Sequence, residues 1–164
     1  MNNSEQVFEW ALKFIFSWEG GHVDDDEDPG GETNFGISKH HHPDVNVDTL
    51  TRKEAIEIYR ERYWDRYRCG EMPKAFALAL FDGVVNQPAD FAIRSLQNAV
   101  GTTVDGIVGP KTIGAVGRNR SDYALQQYML DRLNRYITRD HFDRFGNGWM
   151  RRVMDAYATC REEL

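Results

Sequence analysis

The chain has 164 residues, 41% of them hydrophobic and 12% aromatic, which is enough for one domain with a real core and too few for two ordinary ones. Its 26 acidic side chains outnumber 20 basic ones, giving a net charge of −6. That balance argues against a sequence-independent nucleic-acid binder, which needs a basic stripe to neutralise phosphates, and no nucleic-acid partner is expected. It also supplies no general attraction to anionic polymers, so binding to one would rest on local contacts.

The first residues, Met1 to Glu5, carry no basic region, and Glu9 and Lys13 interrupt the apolar stretch behind them, so neither a secretory signal nor a membrane span is expected. Helical periodicity and breakers then predict helices over roughly residues 4–19, 38–43, 52–66, 73–87, 89–100, 110–118, 121–140 and 147–162. Thr51 with Glu54 makes a capping box, and Ser121 is a good N-cap. Behind Ser121, the residues Leu125, Tyr128, Met129, Leu133, Tyr136 and Ile137 form one apolar face, read as core. Gly101 ends one helix and Pro110 suits the first turn of the next. The fold class is mainly α with one irregular loop, from Gly20 to Ser38, that could hold a small hairpin. The turn signals Asp105-Gly106 and Gly109-Pro110 read, as physics alone, as a tight interhelical connection.

The first helix carries the most informative residue. Leu12, Ile15, Phe16 and Glu19 follow helical spacing, so Glu19 shares a face with three large hydrophobes. Gly20-Gly21 would cap the helix and leave Glu19 in its last turn, where the negative end of the macrodipole disfavours a carboxylate. Both effects favour the protonated form, and a carboxylic acid that keeps its proton to about pH 6 can donate it to a leaving oxygen, as in glycoside hydrolysis.

The acidic run Asp24-Asp25-Asp26-Glu27-Asp28, broken by Pro29-Gly30-Gly31, must be a surface loop. Read as an EF-hand, Asp24, Asp26 and Asp28 would fill positions one, three and five, yet Pro29 stands where Gly is needed and Phe35 where the bidentate Glu belongs. The calcium reading is rejected. The alternative is that one of these acids works with Glu19 across a cleft while the glycines let the backbone approach a sugar closely.

Glu19, Asp28 eight intervening residues later, Thr33 and Gly36-Ile37-Ser38 together resemble the Glu, Asp, Thr signature of phage-type lysozymes. Glu19-Gly20-Gly21, Asp28-Pro29-Gly30-Gly31-Glu32-Thr33 and Gly36-Ile37-Ser38 match glycoside hydrolase family 108, the N-acetylmuramidases, more closely. Further segments are similar to the same family: Ala55, Ile58, Tyr59 and Tyr63-Trp64, then Leu80-Phe81-Asp82 with Val85-Asn86. Leu96-Gln97 and Val104 to Thr112 resemble its peptidoglycan-binding-like segment. The chain departs from the family pattern at His22, where a Tyr is usual, and at Gln87, where a Gly is usual.

The resemblance implies a single lysozyme-like unit over residues 1–164, with a catalytic part over 1–88 and a peptidoglycan-binding-like helical part over 89–164 packed on it. It implies a phage-type peptidoglycan hydrolase cleaving the β-1,4 bond between N-acetylmuramic acid and N-acetylglucosamine. Glu19 would be the general acid, Asp28 its partner and Thr33 the holder of the attacking water, with His22, Gly30, Gly31 and Asn86 contacting substrate. No metal or other cofactor is expected, the partner is the peptidoglycan glycan strand, and a monomer made in the cytoplasm and acting on the wall after release is expected. Rival readings are a wall-binding or assembly protein without turnover, and a hydrolase of another N-acetylglucosamine polymer such as chitin.

Other chemistry finds little support. His40-His41-His42 cannot all point at one ion from adjacent positions and read as a solvated patch. There is no HExxH, no GxSxG and no phosphate loop. Cys69 and Cys160 are expected to be reduced thiols.

Overall fold

The computed structural model describes residues 3–19 and 33–164, and its described part is mainly helical. Seven α-helices run in order: α1 (Asn3–Trp18), α2 (Arg52–Tyr59), α3 (Lys74–Asn86), α4 (Ala89–Ala99), α5 (Pro110–Arg118), α6 (Asp122–Ile137) and α7 (Phe142–Arg161). Between α1 and α2 lie two short antiparallel strands, β1 (Thr33–Asn34) and β2 (Ile37–Ser38), in the register Thr33 to Ser38 and Asn34 to Ile37.

The centre of the molecule is α3. Every residue from Ala75 to Val84 is buried, so this helix is apolar nearly all round and must be enclosed by others. It packs against α1, α4, α6 and α7. Phe8 of α1 contributes to an aromatic cluster with Trp64 and Phe81, at ring centroid distances of 5.3 and 6.1 Å. A single charge sits within this buried stretch: Asp82, fully buried.

Local chemistry explains most boundaries. The Thr51–Glu54 capping box starts α2, Ser121 Oγ accepts from the Ala124 amide at the start of α6, and Pro110 opens α5. Gly101, at φ +66°, turns the chain out of α4. Three expectations are corrected. Residues 38–43 do not form a helix but a single turn in which the Ser38 hydroxyl receives the His41 amide, since the hydroxyl competes with helix continuation. The helix from Thr51 does not run regularly to residue 66: Arg60–Asp65 is a π-helical turn, which rotates Tyr63 and Trp64 relative to a continuous α-helix. The last helix begins at Phe142 rather than 147, because its two glycines, Gly146 and Gly148, are accommodated inside it; the Phe142 ring lies over Gly146 where a Cβ would stand.

On α6, Leu125, Tyr128, Met129 and Tyr136 are buried as expected, but Ile137 is exposed and the charged Arg132 is fully buried in its place. Cys69 and Cys160 are buried free thiols, both pushed up in pKa chiefly by burial. Among the described residues no helix is long and apolar enough to cross a membrane.

Candidate active site

Glu19 directly follows α1, its amide still bonded to the Ile15 carbonyl at 3.1 Å. Among the described residues the carboxyl meets two neighbours. Its Oε1 accepts from Arg152 Nη1 of α7 at 2.7 Å, and its other face lies against Gly36, where a Cβ would overlap the carboxyl group. Gly36 can stand there because Phe35 (φ +51°) and Gly36 (φ +75°) form the two-residue turn of the β1–β2 hairpin, a conformation with both central φ values positive. The hairpin is tied down from two sides. Tyr59 Oη donates to the Phe35 carbonyl at 3.1 Å, and Asn34 Nδ2 donates to the carbonyls of Val47 at 3.0 Å and Leu50 at 3.4 Å. Burial, followed by the nearby Glu19 charge, raises the Tyr59 pKa, so its hydroxyl stays a donor.

The Gly36 contact gives a direct expectation. Gly36→Ala should strain the turn and displace the Glu19 carboxyl, costing about 1–3 kcal/mol of stability and lowering hydrolysis by more than tenfold. Thermal melting together with reducing-end release measures both. A variant with unchanged activity would show that the carboxyl position at this contact does not matter.

Behind Glu19 lies a buried chain of charges. Arg152 also donates through Nε to Asp82 Oδ1 at 2.9 Å, and Asp82 Oδ2 accepts from Arg132 Nη2 at 2.6 Å. The side chains of Asp82 and Arg132 are fully buried and that of Arg152 is 10% exposed. Burial alone would push the Asp82 carboxyl up, but Arg152 and Arg132 outweigh it and hold it below the ordinary range. Both guanidiniums are in turn raised: burial disfavours their charge, and the carboxylates more than offset that. Gln87 clasps Arg132, donating to its carbonyl and accepting from its Nε, each at 3.1 Å. Asn86 Nδ2 donates to the Asp82 carbonyl at 2.8 Å and to Oδ1 at 3.1 Å. Arg152 Nη2 is buried with no hydrogen-bond partner among the described residues.

A cleft of about 400 Å³ opens beside Gly36. One wall is Gly36, Ser38, His41 and His42 with Tyr59 and Tyr63; the floor is the end of α3 with Asn86 and Gln87; the far wall is Arg135, Tyr136, Arg139 and Trp149 of α6, α7 and their connection. Glu19 is not itself on the cleft surface, but it touches Gly36, which is. The histidine run is corrected here. His42 is buried, with Nε2 2.9 Å from Tyr63 Oη and Nδ1 3.1 Å from Arg62, and burial followed by the Arg62 charge lowers its pKa. His41 Nδ1 lies 2.9 Å from Ser38 Oγ, and only His40 and the exposed part of His41 fit the solvated reading.

Of the residues singled out in the sequence, Glu19 and Asn86 are thus joined through the Arg152–Asp82 pair. Thr33 opens β1 with its backbone paired to Ser38. Asp28, His22, Gly30 and Gly31 lie outside the described residues. Sequence reading missed Arg152 and Arg132 altogether. Arg132 carried a signal, since it falls on the apolar face of α6 at helical spacing from Met129 and Tyr136. Among the described residues no group of three His, Cys, Asp or Glu side chains could hold a metal ion.

A carboxyl fixed beside a sugar-sized cleft, in a mainly helical, lysozyme-like fold with a small hairpin, fits the class of glycoside hydrolases. The chain belongs to the glycosyl hydrolase 108 family: that family's profile matches residues 12–87, and the profile described as a predicted peptidoglycan domain matches residues 91–154. The solved structure of Brucella abortus SagA is similar at 32% identity and a TM-score of 0.87, over 97% of this chain and 96% of that one. No curated protein sequence matches the chain. Taken together, these likenesses support a peptidoglycan hydrolase.

Proposed function

We propose that the protein is an N-acetylmuramidase that hydrolyses the β-1,4 bond between N-acetylmuramic acid and N-acetylglucosamine. The observation that carries this reading is the Glu19 carboxyl, anchored by Arg152 and seated against the cleft-lining Gly36. Because Oε1 is engaged by Arg152, a proton on this carboxyl belongs on Oε2, where it can pass to the glycosidic oxygen of a bound strand. Asp28 is the proposed partner carboxylate, orienting water or stabilising oxocarbenium character, and Thr33 is the proposed holder of that water. Inversion or retention follows from the carboxyl separation, about 6.5–9.5 Å against about 5–5.5 Å. Residues 1–88 would carry the catalytic groups and residues 89–164 the far wall of the cleft. A monomer acting on the wall in phage-type lysis is part of the same proposal and rests on the family resemblance.

The test is to incubate the protein with outer-membrane-stripped Gram-negative sacculi, reduce the products with borohydride and identify the reduced ends by mass spectrometry. Reduced N-acetylmuramic acid ends are expected. Reduced N-acetylglucosamine ends would assign the other glycosidic bond. Faster cleavage of chito-oligomers than of sacculi would move the substrate to another polymer, and release of nothing would leave a binding protein.

A further inference from the structure

The far wall of the cleft differs chemically from the near one. The buried Tyr136 stacks on the half-buried Trp149 with centroids 5.0 Å apart and planes at 22°, which fixes the indole at the cleft as an apolar surface suited to the C–H face of a pyranose ring. Beside them Arg135 and Arg139 also line the cleft, and no Asp or Glu does so among the described residues. This convergence of cations occurs in a chain of net charge −6. Arg60, Arg62, Arg68 and Arg94 are each paired with a carboxylate, whereas neither Arg135 nor Arg139 has an ion-pair partner among the described residues. The Arg135 guanidinium is held over the Phe91 ring at 4.6 Å, which orients it without neutralising it.

The glycan itself gives such cations nothing to pair with. N-acetylated sugars linked through glycosidic oxygens are uncharged, and in intact peptidoglycan the lactyl group of each muramyl residue is tied up as an amide. The anions of a strand are the free carboxylates of the peptide stems carried by those amides. A strand lying along the Trp149 indole would bring its stems toward the two arginines that line the cleft with it.

We propose that Arg135 and Arg139 form a recognition site for peptide-stem carboxylates, so that the protein prefers peptide-bearing strands in which these carboxylates are ionised. The site deepens the muramidase reading and rests on it. Guanidinium groups suit it because their planar donors match a carboxylate two-to-two. Both contacts would be solvent-facing, so the preference should be modest and should shrink with added salt.

The experiment compares native Gram-negative peptidoglycan, which carries no teichoic phosphate, with the same material after carbodiimide and ammonia convert its carboxylates to carboxamides. Wild-type kcat/KM is expected to fall about threefold to tenfold on the amidated substrate, the size expected of two exposed charge contacts. Arg135→Glu/Arg139→Glu should bring that ratio to about one or below it, whereas Arg118→Glu/Arg120→Glu, an equal change of charge at two exposed positions that do not line the cleft, should keep the wild-type ratio. Thermal melting checks that the double variant is folded. Equal wild-type rates on the two substrates, or a double variant that keeps the wild-type ratio, would overturn the site. Co-sedimentation with the two preparations reads the same preference without turnover. Equal retention there overturns the stem-carboxylate site, whereas unequal retention with no hydrolysis of either preparation removes the muramidase reading alone.

Discussion

Glu19→Gln is expected to lower kcat on peptidoglycan by about 10²–10⁴-fold, the usual contribution of a general acid, with little change in KM. The substitution is nearly isosteric. Glutamine can present its carbonyl oxygen to Arg152 and its amide to the space beside Gly36, so the carboxyl's two structural contacts have a replacement. What it lacks is a proton to give up. Arg152 loses one anionic partner but keeps Asp82, so the stability cost should be about 1 kcal/mol, the net value of one hydrogen bond. Reducing-end release and thermal melting on the same preparations separate the two effects. Wild-type activity in the variant would sink the assignment of Glu19, and a collapse of both activity and melting temperature would make its role structural.

Much of this arrangement is legible in the sequence, for identifiable reasons. The helices α3, α4 and α5 begin and end within about a residue of expectation because capping and breaker chemistry is local: Pro110, Gly101 and the run of buried apolar residues in α3 need no distant partner. Glu19 stands out because a carboxyl next to an apolar helix is locally anomalous. Asp82 is the same anomaly inside α3. Its meaning is not local, since its partners Arg132 and Arg152 lie 50 and 70 residues away. No periodicity pairs a carboxylate with a guanidinium across such a span. The sequence therefore predicts an apolar setting for Glu19 and cannot show that α7 returns an arginine to it. The histidines mislead for a related reason: His42 is buried only because the π-turn brings Arg62 and Tyr63 against it, and neither the turn nor the contact has a local signature. Gln87, a departure from the family pattern, becomes intelligible once its two hydrogen bonds to Arg132 are seen.

Asp82→Asn should be the most destabilising conservative change in the molecule, costing about 3–5 kcal/mol, because it leaves the buried Arg132 and Arg152 without their shared counter-charge. For a chain of this size that corresponds to a fall in melting temperature of about 10 °C. The pH dependence has a definite sign. The folded-state pKa of Asp82 lies below the ordinary value: burial would raise it, and Arg152 and Arg132 more than reverse that. The unfolded chain therefore binds the proton first on acidification, and the contribution is complete above about pH 5 and declines as pH falls from there through the folded pKa. The gap in unfolding free energy between wild type and Asp82→Asn, measured by urea denaturation, should narrow over that acidic window and stay constant from about pH 5 upward. A gap that widened on acidification would contradict the ion-pair account. Activity should fall as well, since Asp82 holds the guanidinium that holds Glu19. The two consequences can be separated by adding Arg132→Met, which removes one stranded charge at similar volume and should recover part of the lost stability. Arg152 remains unanchored in that double variant, so hydrolysis should stay low. Recovery of activity together with stability would mean that Asp82 supports the core and does not position Glu19.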